Sequence, residues 1–165
     1  MPRTRCKEVY LFDELSEKAK DRARDWWREG ALDYDWWEST YEDAERAGLR
    51  IEEFDLDRNR HVKGELLVSA EASIKAILKE HGKDCDTYKM AMQFKARLAI
   101  LKLSGIESEN YEQELERFTE EYTQALCEEY ASILQAEYED QLADEQVDEA
   151  IRINEYEFTE EGRRA

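Results

Sequence analysis

The sequence predicts an α+β fold, mostly helical, with a small antiparallel β-sheet and a long acidic helix toward the C-terminus. Three observations carry this expectation. Tyr111, Leu115, Phe118, Tyr122, Leu126, Tyr130, Ile133 or Leu134, and Tyr138 recur every three or four residues, and no Gly or Pro falls between residues 106 and 162. Two short β-like runs, residues 49–56 and 62–68, flank the polar stretch Asp57-Arg58-Asn59-Arg60-His61, the pattern of a hairpin. The acidity is also concentrated. The chain of 165 residues has a net charge of −18, and residues 107–161 hold 20 Asp and Glu against only Arg117 and Arg152. Residues 1–106 are close to neutral. We therefore expect one domain over residues 1–165, with a near-neutral α+β part at 1–106 and a strongly acidic helical part at 107–161.

The elements follow in order. Residues 7–12 are short and apolar and read as a strand. Ser16 is placed to cap a helix, with Leu15 before it as a staple, and Ala19, Ala23, Trp26 and Trp27 follow at helical spacing until Gly30. Asp33 or Asp35 starts a second helix with Trp37, Tyr41 and Ala44 on one face, ending at Gly48. After the hairpin, Ser69 is the next N-cap, and Ile74, Ile77 and Leu78 form a stripe before Gly82. Asp84 or Asp86 opens a fourth helix through Tyr88, Met92, Leu98 and Leu101, ending near Gly105. The long helix is expected from about residue 108 to about 142, on the order of 50 Å at ~1.5 Å per residue. Asp144 is placed to cap a last helix through Val147 and Ile151, and residues 154–158 suit a final strand.

Composition narrows the function classes. Aromatic residues make up 11% of the chain, too many for a disordered segment despite 40% charged residues. Cys6, Cys85 and Cys127 are odd in number and form no C-x-x-C pair, which argues against a disulfide framework or a zinc site and for a reducing, cytoplasmic setting. No apolar leader and no run approaching ~20 apolar residues is present, so a membrane location is not expected.

No catalytic residue emerges. Asp55-Leu56-Asp57-Arg58-Asn59 opens like a calcium loop, but Arg60 stands where the turn needs Gly and Leu66 where the bidentate Glu belongs. His61 and His81 occur in no metal-ligand motif, and His81 with Cys85 is read as a surface histidine beside a half-buried structural cysteine. No metal and no cofactor is expected, and the chain is not expected to be an enzyme. The candidate site is instead an acidic surface: Glu109, Glu112, Glu116, Glu120, Glu121, Glu128 and Glu129. Like charges four residues apart cost a helix what Glu–Lys pairs would gain, so placing Glu112, Glu116 and Glu120 in one row points to a field selected for binding. The pairs Trp26-Trp27 and Trp36-Trp37 are read mainly as core, with Trp26 and Trp36 as candidates for an aromatic interface.

Five blocks carry a resemblance. They are Y-L-F-D-E-L-S-E-K-A-K-D-R-A at 10–23, W-W-E at 36–38, I-E-E-F-D-L-D-R at 51–58, K-E-H-G-K-D-C-D-T-Y at 79–88 and N-E-Y-E-F-T-E-E-G at 154–162. Together they resemble a family of small acidic accessory proteins of tailed bacteriophages and prophages, some of which carry antitoxin-like labels. The resemblance implies action inside the bacterial cell and transfers no active-site residue. Combined with the charge, it implies a non-enzymatic inhibitor. The expected partner is a bacterial defence or nucleic-acid-handling protein with a basic surface, bound through an acidic, DNA-mimicking face. The alternatives are neutralisation of a basic toxin, or self-association of the tyrosine-rich helix into a homodimer or assembly.

Such a chain should shift neither duplex DNA nor RNA in a mobility assay at ~0.15 M salt, because no clustered Lys/Arg run offsets its charge. A shift that persists with unrelated duplexes would refute this.

Overall fold

A computed structural model describes residues 1–105 and 109–165. The fold is α+β and mostly helical, with two small antiparallel sheets. In chain order the elements are β1 (Tyr10–Leu11), a 3-10 turn (Phe12–Glu14), α1 (Glu17–Gly30), α2 (Glu38–Arg46), β2 (Leu49–Asp55) and β3 (His61–Leu66). They continue with α3 (Ala70–Glu80), α4 (Asp86–Gly105), α5 (Tyr111–Leu142), α6 (Asp144–Ile153) and β4 (Glu157–Phe158). The expected start of the long helix at residue 108 lies outside the described residues. Contacts divide the chain into two compact units: Met1–Trp36 with Ala136–Ala165, and Trp37–Gln135. The charge boundary at residue 106 is therefore not where the contacts divide.

The first unit joins two distant stretches of sequence. β1 pairs antiparallel with β4, Tyr10 opposite Phe158. The strand expected at 7–12 is only two residues long, because Phe12 already enters the 3-10 turn, where the Leu11 N–H donates to Glu14 Oε2 at 2.7 Å. Ser16 caps α1 as its sequence predicts, its Oγ accepting from the Ala19 N–H at 3.2 Å. Phe12, Leu15, Ala19 and Ala23 bury together with Val147, Ile151 and Phe158, and Trp26, Trp27, Tyr10 and Tyr156 pack around them. Asp144 is the first residue of α6 and not its cap; the cap position is Ala143. Its carboxylate instead pairs with Arg28, whose Nε donates to the Leu142 carbonyl at 3.1 Å and so satisfies the end of α5. Arg24 grips Asp148 with two hydrogen bonds of 2.6 and 2.8 Å, both side chains mostly buried. That bond to Asp148 raises the Arg24 guanidinium further above its ordinary value.

The second unit is built around α5. Phe118, Tyr122, Leu126, Tyr130 and Leu134 are buried, which leaves Leu134 and not the exposed Ile133 on the stripe. Phe94 of α4 meets Phe118 and Tyr122 edge-on, with ring centres 5.6 and 5.3 Å apart. The Tyr122 and Ser73 hydroxyls lie 2.6 Å apart, and Ser73 Oγ donates to the Ala47 carbonyl at 2.5 Å. Burial pushes the Tyr122 phenol up to about 12. The hairpin forms, with β2 and β3 antiparallel and irregular between Ile51 and Glu53. Its turn closes on itself, the Asp57 N–H donating to Asp55 Oδ1 at 2.8 Å.

Two expectations are corrected here. α2 begins at Glu38, not at Asp33 or Asp35, and Trp37 occupies its N-cap position, where its ring meets Phe54 at 5.6 Å. Of the stripe expected on α4 only Leu98 is buried: Met92 is exposed and Tyr88 and Leu101 are half-buried, while Thr87, Met90, Ala91 and Phe94 face inward beside Leu98. α4 is apolar on more than one side, so spacing alone cannot select the face. The neighbouring aromatics select it.

Gly162 has φ +85°, and a Cβ there would lie 2.0 Å from the Ala19 carbonyl oxygen. The obstruction is backbone, which cannot rotate away. Gly162→Ala should therefore lower unfolding free energy by about 2–4 kcal/mol in urea titration. Gly30→Ala, whose Cβ would meet only Asp33 Oδ2 at 3.8 Å, should stay within about 1 kcal/mol of the parent.

Candidate functional site

Helix α5 is amphipathic, and that places the acidic candidates. Glu112, Glu116 and Glu120 are exposed and stand away from the buried stripe of Phe118 and Tyr122. Among the described residues these three make no ion pair. Glu109 is exposed in the turn before the helix, and Glu128 is exposed and accepts from Gln124 Nε2 at 3.4 Å. Two other candidates depart from this picture. Glu121 pairs with Arg97 of α4, so its charge is locally offset. Glu129 is half-buried, and burial, then Asp86, then Glu128 raise its carboxyl above the usual range. The seven glutamates are thus a row of three with one flanking charge on either side, one exposed but paired with Arg97, and one half-buried.

The aromatic candidates also separate. Trp36 is only 8% exposed and tilts against Tyr138 at 5.9 Å, so it is a core residue and not an interface. Trp26 is half-buried, edge-on to Tyr156 and Phe158 at 5.2 and 5.7 Å, and lines an open groove of about 600 Å³ with Trp27.

His81 and Cys85 reverse the sequence expectation. Cys85 is exposed, while the His81 side chain is about 10% exposed. His81 Nδ1 lies 2.6 Å from Thr87 Oγ1, and its Nε2 lies 3.4 Å from Asp43 Oδ2. The Tyr130 hydroxyl donates to the same Asp43 oxygen at 2.8 Å. A hydroxyl, an imidazole and a carboxylate in line resemble a catalytic triad. However, Thr87 is 3% exposed and Asp43 is already committed to Tyr130 and Arg46. The line works as a clamp joining α2, α4 and α5. Burial likewise pushes the Cys127 thiol up, away from the reactive thiolate.

One feature had no sequence expectation attached. Between α3 and α4 runs a groove of about 470 Å³ floored by Ile74, Leu78, Leu98 and Ala99. Lys75, Lys79, Lys95 and Lys102 line it, with Glu71 as the one acid. The signal lay in spacing: Lys75 and Lys79 are four apart and Lys95 and Lys102 seven apart, each pair on one helical face. Among the described residues, no helix is long and apolar enough to cross a membrane, and no three His, Cys, Asp or Glu side chains converge as metal ligands. No protein family, curated protein or solved structure matches the chain.

Glu129 yields a pH-dependent test. Its carboxyl is raised in the folded state, so ionisation opposes folding, and the penalty appears as pH rises through the raised value and is absent below the ordinary 4.5. Glu129→Gln should stabilise the protein at neutral pH by less than about 1 kcal/mol, given its partial exposure. That gain should vanish in melts performed below the ordinary carboxylate range.

Proposed function

We propose that the protein is a non-enzymatic binding protein that engages a basic partner surface through the exposed acidic row of α5. The observation that carries this reading is Glu112, Glu116 and Glu120 standing one helical turn apart, exposed and without an ion-pair partner among the described residues. Carboxylates one turn apart are roughly 6 Å from each other, near the ~7 Å between successive phosphates of a DNA strand. A groove that holds nucleic acid would accept such a row, and its like charges would steer association. With the resemblance to phage accessory proteins, the partner class is a bacterial defence or nucleic-acid-handling protein met in the host cytoplasm.

The test is a triple reversal, Glu112→Lys, Glu116→Lys and Glu120→Lys, compared with the parent in capture of proteins from bacterial lysate and then in kinetics with the captured partner. The fold should persist, since all three side chains are exposed and the reversed row keeps like charges at the same spacing, leaving stability within about 0.5 kcal/mol of the parent. Association should slow by about one to two orders of magnitude at low salt, with a flatter salt dependence. Unchanged affinity with an unchanged salt slope would make the acidic row a solubility coat.

A further inference from the structure

The α3–α4 groove is a second surface, of opposite sign to the acidic row, and its chemistry is specific. Leu78 and Leu98 give it an apolar floor, and Ala99 leaves room for close approach. The one acid there, Glu71, is held by Lys102 at 2.7 Å and approached by Lys75 at 3.9 Å, and this pairing lowers its carboxyl below the usual range. Lys79 and Lys95 make no ion pair among the described residues, so the groove keeps a net positive rim on a protein of charge −18. The apolar surface does not stop at the groove. Met92, Ala99 and Leu103 follow at spacings of seven and four along α4, and Leu103 is 86% exposed. The strip from Met92 to Leu103 is about 16 Å long, three helical turns.

We propose that this surface docks an acidic amphipathic helix of a partner protein. Its apolar residues would lie on Leu78, Leu98, Ala99 and Leu103, and its carboxylates would meet Lys79 and Lys95. Length decides against a small amphiphile: a compact ligand fills the groove but leaves the strip beyond Ala99 in water, whereas a helix with anchors at i, i+3 or i+4, and i+7 covers both. Extent decides against an anionic bilayer: a wide charged sheet meets the field of the whole chain, net −18, whereas a single helix meets mainly the lysines of the groove. A second copy of α5 is a poor occupant. The acidic row of α5 is flanked by no exposed apolar stripe, because Phe118, Tyr122 and Leu126 are already buried in its own unit.

The probe is a labelled peptide of about 18 residues, five helical turns, with Leu at i, i+3, i+4 and i+7 and Glu on the polar face. A sequence with Lys replacing Glu is the sign control. Binding is read by fluorescence anisotropy on the full chain. The Leu/Glu peptide should bind saturably, more weakly at ~0.3 M than at ~0.05 M salt. Lys79→Glu with Lys95→Glu should weaken it by about tenfold, while leaving the melting temperature near the parent. If that pair perturbs folding, Lys79→Gln with Lys95→Gln should show the same loss in smaller degree. Ala99→Trp, which fills the floor, should abolish binding without altering the acidic row. The proposal is overturned if the Leu/Glu peptide does not bind, if the Leu/Lys peptide binds as well, or if the lysine variants bind unchanged. It is likewise overturned if those lysines govern binding to anionic vesicles or a concentration-dependent doubling of native mass instead.

Discussion

Two tyrosine hydroxyls carried into an apolar interior constrain everything in the second unit. Tyr122 and Tyr130 lie on the buried stripe of α5, and each brings a polar atom to a place where no water compensates it. A buried hydroxyl left unpaired costs about 1–3 kcal/mol, so each must be met. Ser73 meets the first and donates its own hydrogen bond to the Ala47 carbonyl. Asp43 meets the second, and His81 and Thr87 continue the chain of contacts. These partners come from α2, α3, α4 and the residues that end α2 and α3, Ala47 and His81. Apolar packing alone would let α5 rotate or slide over its neighbours; the hydroxyls fix its register against them.

The same helix shows how opposite demands are divided around its circumference. Its inner face follows ordinary packing rules. Its outer face departs from them, with Glu112, Glu116 and Glu120 in a row where alternating signs would be more stable. Glu121, one position from the row, pairs with Arg97. The difference lies in what is paired: Arg97 of α4 reaches Glu121, whereas Glu112, Glu116 and Glu120 form no ion pair among the described residues. α3 and α4 carry the opposite bias, with four lysines round one groove. The overall charge therefore describes neither surface well.

The fold was largely legible because its signals are local. Ser16 and Ser69 cap helices as their sequence context predicts, the long stripe forms one helix, and the polar stretch at 57–61 turns a hairpin. What escaped depends on contacts between distant residues. The buried face of α4 was misjudged because apolar residues surround that helix, and the choice rests with Phe118 and Tyr122 more than twenty residues onward. Trp36 and Trp26 are indistinguishable as sequence, yet Tyr138 covers the first while the second lines an open groove. His81 and Cys85 exchanged their expected exposures because Asp43 and Thr87 draw the imidazole inward. In the candidate site, the acidic row was readable from spacing, whereas the lysine groove needs two helices side by side and shows no basic run.

The pairing of β1 with β4 has a consequence for synthesis. Residues 37–135 hold both strands of their own hairpin, α2, α3, α4 and the part of α5 that carries Phe118 to Leu134, so that unit has its partners once residue 135 has left the ribosome. The N-terminal stretch leaves first but must wait. Phe12, Ala19 and Ala23 have no Val147, Ile151 or Phe158 to pack against until residues 136–165 are translated. Through that interval an apolar, tryptophan-bearing segment stays uncovered in the cell, the state in which chaperone binding and aggregation compete with folding. The exterior of α1 is charged, with Lys18, Asp21, Arg22 and Asp25 exposed, and charges of this kind oppose association of a segment whose apolar face is still uncovered.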